Sequence, residues 1–520
     1  MLLLFTTVFL PIVLGALLLI VKEEKISRRG ICIYTGVALC LDGLCLIATV
    51  AFDNAYTVYE LFRLNDTLVI SFWIDSVGKI FAVIMALVWI VSGFYSFEYM
   101  KHEEHNKRFY GFYIMVLGIL MGLCFAQNMI TYYAFYELMT IGSFALVLHN
   151  QSKEAIMAGL KYLFYSFAGA YMVLFGIFMT HSYTKDPSMS FGTNAALNVE
   201  HAVSSGVLKL SSSAAGDTLV YGSAGAGAKG LLMLCMFLMI LGFSVKAGMF
   251  PMHGWLPTAH PVAPAPASAV LSAIIVKAGV LGIIRVIFGI FGENLFSGSA
   301  VQKICIILSL ITVFMGSMLA YKEKVLKKRL AYSTVSQVSY ILFGLFMISE
   351  QSFYGSMIHV AAHATIKSTL FLCAGAIIYI TGCTRVDELR GIGKKMPVML
   401  WCFTIASLGL IGIPPFSGFA SKWYLCVGAL SADMKVFSWL GPVVLLVSAL
   451  LTAGYLLPIS INGFLPGKAF NDKVASNEQT LENRAYFAAK EPKLIMLIPI
   501  IILTLLSVFI GLFPEVLTWL

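Results

Sequence analysis

Charge is what this sequence has least of. Asp, Glu, Lys and Arg make up 12% of its 520 residues, against 59% that are hydrophobic. A soluble chain of this length carries roughly twice that charge to cover its surface. A water-soluble globular class is therefore excluded, and the mean hydropathy of +0.88 points to a polytopic membrane protein. The ten cysteines are scattered and form no CxxC pair, which excludes an iron–sulfur or zinc site built from this chain. No GxGxxG run follows a predicted strand, so no nucleotide or flavin site is expected. Neither a cofactor nor a metal is expected in the chain. The net charge of +9 is spread over short loops and forms no phosphate-binding patch, so nucleic acid is excluded as a partner. Residues 1–21 lack a basic leader and a small-residue cleavage site, and read as a retained first span.

Windows of about 20 apolar residues give fourteen expected spans: 1–21, 31–52, 74–97, 109–127, 129–149, 160–181, 230–250, 266–290, 301–321, 329–349, 353–381, 397–431, 436–460 and 494–512. Sidedness follows from Lys and Arg. Loops 22–30, 98–108, 150–161, 322–329, 382–396 and 461–493 hold 23 of the 35, and the alternate loops hold six. The richer set is then cytoplasmic, and an even number of spans puts both termini outside the cell or inner membrane. Residues 57–71 are too polar to span and rich in β-formers, which predicts an external hairpin. Residues 182–229 read as a low-complexity external linker.

The remaining basic residues lie inside spans: Lys79, Lys246, Lys277, Arg285, Lys367 and Lys422. Asp42, Asp75, Glu137, His359 and His363 join them. Ionisable groups at membrane depth are costly and commonly mark an ion path. Asp42, Asp75, Lys79 and Arg285 stand near span ends or alone, so snorkelling or structural pairing accounts for them. Lys367 is equally a structural partner or a relay member. Glu137, Lys246, Lys277, His363 and Lys422 each stand near a helix break, a small-residue run or another ionisable group. Pro251 follows Lys246 by five residues, and Pro414-Pro415 precedes Lys422 by seven. A proline opens a helix at membrane depth only where a cavity or neighbour satisfies the freed backbone groups. Two broken helices, each with a lysine, in two halves of one chain is the pattern of inverted-repeat transporters. Spans 4–8 and 9–13 form the two expected five-helix units. The expected divisions are 1–108 (spans 1–3), 109–290 (first unit), 301–460 (second unit) and 461–520 (cytoplasmic loop and span 14).

The stretches YELMTIGSFALV (136–147), KAGMFPMHGWLPTAHPVAPAPASAVLSAIIVKAGVLGIIR (246–285), KKRLAYSTVSQVSY (327–340), HVAAHATIKSTLFLCAG (359–375) and GIPPFSGFASKW (412–423) carry a resemblance. Together they resemble the antiporter-like membrane subunits of respiratory complex I, membrane-bound hydrogenases and multi-subunit cation/proton antiporters. The resemblance implies that Glu137 and Lys246 pair in a first half-channel and that Lys277 is the central group. It also implies that His359 and His363 are the span-11 histidines and Lys422 the exit group. The sequence departs from the family's common pattern at Tyr136, Thr258 and Val325, where tryptophan, aspartate and an acid are usual.

A lysine whose charge is disfavoured by burial exchanges its proton near neutral pH, and an approaching carboxylate reverses that bias. Histidine is suited to shuttle at the same pH. Moving one charge against 100 mV costs about 2.3 kcal/mol, and a two-unit swing in a carrier's proton affinity supplies about 2.7 kcal/mol. The order Lys246, Lys277, His363, Lys422 then forms a lateral relay. The expected function is proton translocation, with sodium as the alternative ion. The chain would be a membrane subunit of a complex I-like or hydrogenase-type respiratory complex, among other membrane subunits and lipid, with its redox centres in partners. The alternative is a subunit of a cation/proton antiporter complex driven by ion gradients. A haem carrier is excluded: His359 and His363 lie four residues apart on one helix face and cannot be the two axial ligands of one haem. No lateral helix follows span 14, so an internal position or a smaller assembly is expected.

Overall fold

The protein is an all-α integral membrane protein. A computed structural model describes residues 1–22, 26–52, 56–181, 183, 188–191, 208–213, 216–221, 226–476 and 480–519. The N-terminal helices are α1 (Leu2–Ile20), α2 (Arg28–Phe52) and α3 (Ser76–Tyr99). Next come α4 (Asn106–Cys124), α5 (Met129–Val147), α6 (Lys153–His181), α7 (Ala226–Ala247) and α8 (Ala265–Phe291). The second half holds α9 (Ala300–Lys322), α10 (Leu326–Phe346), α11 (Glu350–Thr381), α12 (Pro397–Ile411), α13 (Ser417–Ser431) and α14 (Val436–Phe464). The last long helix is α15 (Leu494–Leu512).

Twelve helices among the described residues are long and apolar enough to cross a membrane. The other two of the fourteen expected spans are occupied by helices that fall short of that standard. One is α10, whose first turn carries Lys327, Lys328 and Arg329. The other is the pair α12 and α13, each too short to cross alone, separated at Gly412–Phe416. Helix ends also outrun the apolar windows. Helix α6 starts at Lys153, not near 160, because helical hydrogen bonding continues past the apolar boundary.

Side-chain caps set several starts. Asp75 accepts from Gly78 N at 3.2 Å before α3, and Asn128 accepts from Thr131 N at 2.7 Å before α5. Ser349 and Ser352 form a capping box at the start of α11. The expected external hairpin is present: β1 (Tyr59–Arg63) pairs antiparallel with β2 (Val69–Phe72). Asn128 ties it down by donating to Val69 O at 2.9 Å. In the 182–229 linker, β3 (Leu208–Ser213) and β4 (Gly216–Tyr221) form a second antiparallel pair, and most of the rest lies outside the described residues. Residues 226–230 of the run GAGAKG form the first turn of α7, shortly after β4. An antiparallel pair lacks the parallel βαβ frame of a dinucleotide fingerprint.

Helices α8 and α11 are central and almost wholly buried, whereas α6 turns Phe164, Tyr171 and Phe178 outward. The expectation of structural pairing holds for Arg285, which grips Asp75 through two bonds of 2.7 Å. It fails for Asp42. That residue is 1% exposed, and neither carboxylate oxygen has a hydrogen-bond partner, so it neither snorkels nor pairs.

Candidate functional site

Both lysine-bearing helices break where the sequence places proline. Helix α7 ends at Ala247, and the chain turns at Gly248 (φ +75°) and Pro251 before a short helix, Leu256–Val262. Helix α12 ends at Ile411, and Gly412 (φ +94°) and Pro414-Pro415 precede α13. Positive φ at these two positions suits glycine, since a Cβ would strain the turn. At the first break Trp255 Nε1 donates to Val245 O at 2.7 Å, and Phe250 N donates to Thr312 Oγ1 at 2.9 Å. Protein neighbours thus satisfy backbone groups that the break leaves free.

Lys246 is wholly buried in the last turn of α7. Its Nζ donates to Tyr162 Oη at 2.5 Å and Ser166 Oγ at 2.9 Å, both on α6. The Tyr162 ring lies 4.0 Å from the same nitrogen, and the Tyr136 and Trp255 rings lie at 5.9 Å. Such faces attract a cation. Tyr162 is shared onward with Ser143 at 2.6 Å. Glu137 stands on α5, and its buried Oε1 has no hydrogen-bond partner. Among the described residues no ion pair or hydrogen bond joins Glu137 directly to Lys246, whose Nζ bonds Tyr162 and Ser166 instead.

The second cluster is contiguous. Lys277, on α8, bonds His363 Nδ1. His363 and His359 project from one face of α11, with ring centroids 6.2 Å apart. His359 Nδ1 bonds Ser421 Oγ at 2.8 Å, and its ring stacks on Tyr340 at 5.5 Å and 14°. Lys422 follows Ser421 and also faces Tyr340, with Nζ 5.2 Å from the ring centroid. That Nζ donates to Leu410 O at 2.6 Å and Ile411 O at 2.7 Å, across the break. Helices α12 and α13 meet backbone to backbone there: a Cβ on Gly418 would lie 1.8 Å from Gly409 O. Lys367, one turn beyond His363, bonds Ser333 and donates to Leu330 O at 3.0 Å.

The structure therefore brings Lys277, His363, His359 and Lys422 into one run, with Lys367 alongside. It sets Glu137 and Lys246 apart, with no hydrogen bond from Lys246 to Lys277. Sequence reasoning missed the hydroxyl partners Tyr162, Ser166 and Ser421, and the stacking Tyr340. The signal for Ser421 and Tyr340 was their place inside the quoted motifs. Tyr162 and Ser166 offered only an i, i+4 spacing. His260 was missed too: it is wholly buried, packs tilted at 41° against Phe371 with centroids 5.1 Å apart, and neither ring nitrogen has a protein hydrogen-bond partner.

The arrangement is a string of groups that gain and lose protons, walled by aromatic and aliphatic side chains. The fold is shared with solved membrane complexes. It resembles a chain of the Mrp complex from a Dietzia species (TM-score 0.80, 19% identity, 99% of this chain and 95% of that one). It also resembles a chain of respiratory complex I from Thermus thermophilus (TM-score 0.77, 20% identity, 99% and 96%). In sequence it is 28% identical to NADH-quinone oxidoreductase subunit N of Desulforudis audaxviator, over 96% of this chain and 93% of that protein. It is 26% identical to a Na(+)/H(+) antiporter subunit of Alkalihalophilus pseudofirmus, over 98% and 93%. The family model for the transmembrane part of NADH:quinone oxidoreductase and Mrp antiporter subunits matches residues 126–452, which takes in both clusters, and the chain belongs to that family.

Proposed function

We propose that this chain moves protons across a cell inner or plasma membrane as a subunit of a complex I-like or hydrogenase-type respiratory complex. The driving force is redox chemistry in partner subunits, and the chain carries no redox centre, cofactor or metal of its own. Both termini lie outside. The units 109–290 and 301–460 each contribute one lysine beside a helix break, flanked by 1–108 and 461–520. Glu137 biases Lys246 electrostatically. Lys277, His363 and His359 pass the proton laterally, Lys422 releases it, and Lys367 supports the run. The observation that carries this reading is the chain of contacts from Lys277 through His363 and His359 to Ser421, beside Lys422. A buried run of titratable groups at membrane depth is hard to explain as scaffold, since apolar side chains would pack there at lower cost.

A second reading is a subunit of a cation/proton antiporter complex driven by ion gradients, with sodium as counter-ion. Likeness to the Na(+)/H(+) antiporter protein of Alkalihalophilus pseudofirmus over 98% of the chain supports it. Co-purified subunits separate the two: flavin- or cluster-bearing partners support the first, and a complex made only of further antiporter subunits supports the second. The relay itself is tested with Lys277→Met in the assembled complex, in sealed vesicles. Proton uptake should fall to background while assembly is kept, and normal uptake would remove the relay.

A further inference from the structure

We propose that a polar cavity among α9, α10 and α14, at their Lys- and Arg-rich end, binds the phosphate of an anionic phospholipid through Arg329. The site lies outside the run of titratable groups and does not depend on it. The cavity holds about 460 Å³, within the range of small-molecule sites. Tyr321 on α9 and Gly454, Pro458 and Asn462 on α14 form one wall. The three α14 residues, at i, i+4 and i+8, make one exposed stripe, and Tyr321 is 52% exposed beside them. Gly454 keeps that wall open, since a Cβ there would stand 3.0 Å from Tyr321 Cε2.

Arg329 sits in the first turn of α10, is 9% exposed and lines the cavity. Its Nε donates to Glu323 O at 2.7 Å and its Nη1 to Tyr455 O at 2.9 Å. Among the described residues no acceptor bonds Nη2, and no carboxylate forms an ion pair with this guanidinium. The carbonyls fix the direction of the fork without neutralising it, and a buried charge is ordinarily paired. The acids of the cavity are already taken. Glu482 meets Arg390 at 2.9 Å, and Asp387 meets Arg385 at 3.2 Å and Lys324 at 3.8 Å. Glu323 likewise meets Lys328 at 2.9 Å. One cation without a counter-ion is left, beside the Asn462 amide and the Tyr321 hydroxyl.

A guanidinium fork matches the oxygens of a phosphate. The lipid form of that group fits the surroundings. Above the cavity, along the same two helix faces, Phe314 and Leu450 are 46% and 74% exposed and offer apolar surface to acyl chains. A free phosphate would leave that surface unused. Basic pockets between membrane helices on the cytoplasmic side bind anionic head groups, and the loops at this end belong to the Lys- and Arg-rich set.

The test uses the assembled complex in detergent, with phosphatidylglycerol and phosphatidylcholine as probes and native mass spectrometry as the readout. The unmodified complex should take phosphatidylglycerol in preference to phosphatidylcholine. Arg329→Gln should weaken phosphatidylglycerol binding about tenfold or more, as loss of a charge-assisted contact does. Arg329→Lys should restore part of it, because lysine holds phosphate as a point charge. Gly454→Leu keeps the guanidinium and fills the open wall, so it should weaken the lipid while sparing inorganic phosphate. If Arg329→Gln does not assemble, because Glu323 O and Tyr455 O lose their donor, Gly454→Leu decides: unchanged phosphatidylglycerol binding overturns the proposal. Equal binding of the two lipids, or no loss in Arg329→Gln, overturns it too. Inorganic phosphate that binds as tightly as the lipid makes this a phosphate site and removes the lipid. A partner subunit that closes the wall in the complex leaves neither lipid bound, which also overturns the proposal.

Discussion

The two helix breaks look alike in sequence and are satisfied differently in structure. At the first, the indole of Trp255 takes the freed carbonyl of Val245, and Lys246 reaches away to the hydroxyls of Tyr162 and Ser166. At the second, Lys422 itself takes the freed carbonyls of Leu410 and Ile411. The difference lies in what each lysine is bonded to. Carbonyl oxygens only accept, so they hold Lys422 as a donor at the C-terminal end of α12, where the helix dipole also favours a cation. Hydroxyls accept or donate, so the first site tolerates either protonation state of its lysine. The first break thus has a scaffold and a separate carrier, and the second uses its carrier as scaffold.

The largest expected effect falls on Lys422. Lys422→Met cannot titrate and should cut proton uptake by about 10²–10⁴-fold, the usual worth of a positioned acid or base. Lys422→Arg should fail as badly, since arginine stays protonated at any working pH. Lys422→Glu should retain part of the flux, because a buried carboxylate also exchanges protons near neutrality. Uptake by the three variants at matched expression gives the order. An active Arg variant would reduce Lys422 to a structural cation for the Leu410 and Ile411 carbonyls.

Lys246→Ala and Glu137→Ala come next, each lowering uptake by about 10²-fold with assembly largely intact, because Trp255 and Thr312 hold the first break without the lysine. Assembly read on native gels checks this. A complex that fails to assemble but pumps normally per copy would make the first break like the second.

Trp255→Phe tests the scaffold directly. It removes one of two hydrogen bonds to Val245 O, the other coming from Gly248 N at 3.2 Å, and should cost about 0.5–1.5 kcal/mol, read as a lower thermal midpoint of the purified complex. The matching loss is not expected at the second break from any aromatic change. An unchanged midpoint with pumping lost would move Trp255 into the conducting site.

Tyr162→Phe is the mildest. It keeps the ring over Lys246 and removes one hydroxyl, so a two- to tenfold loss of uptake is expected, about the worth of one net hydrogen bond. A complete loss would mean that Tyr162 carries the proton on to Ser143.

Much of this was legible in the chain. The spans were readable because a bilayer imposes a fixed length of apolar residues, and the breaks because proline removes a backbone donor. The external hairpin at 57–71 was readable from its β-formers. Asp42 was misread: span ends suggest snorkelling, but whether a side chain reaches water depends on which way its helix is turned, and α2 turns it inward. The resemblance implied that Glu137 and Lys246 pair, with Glu137 moving toward or away from the lysine. The sequence did not show the hydroxyls Tyr162 and Ser166 that Lys246 bonds, since they share a face of α6 that the apolar pattern does not mark.

The sequence alone determined that this is a many-span membrane protein, which residues are titratable at depth, and where two helices must break. Those outcomes follow from local rules: hydropathy, proline geometry and charge. Which titratable groups meet was decided only by tertiary packing. Lys277 finds His363, and His359 finds Ser421, across helices that lie 86 and 62 residues apart in the chain. No local pattern fixes the rotation of one buried helix against another. The glycine contacts at Gly409 and Gly418 and the crossing of α10 with α11 set those rotations, and with them the order of the run.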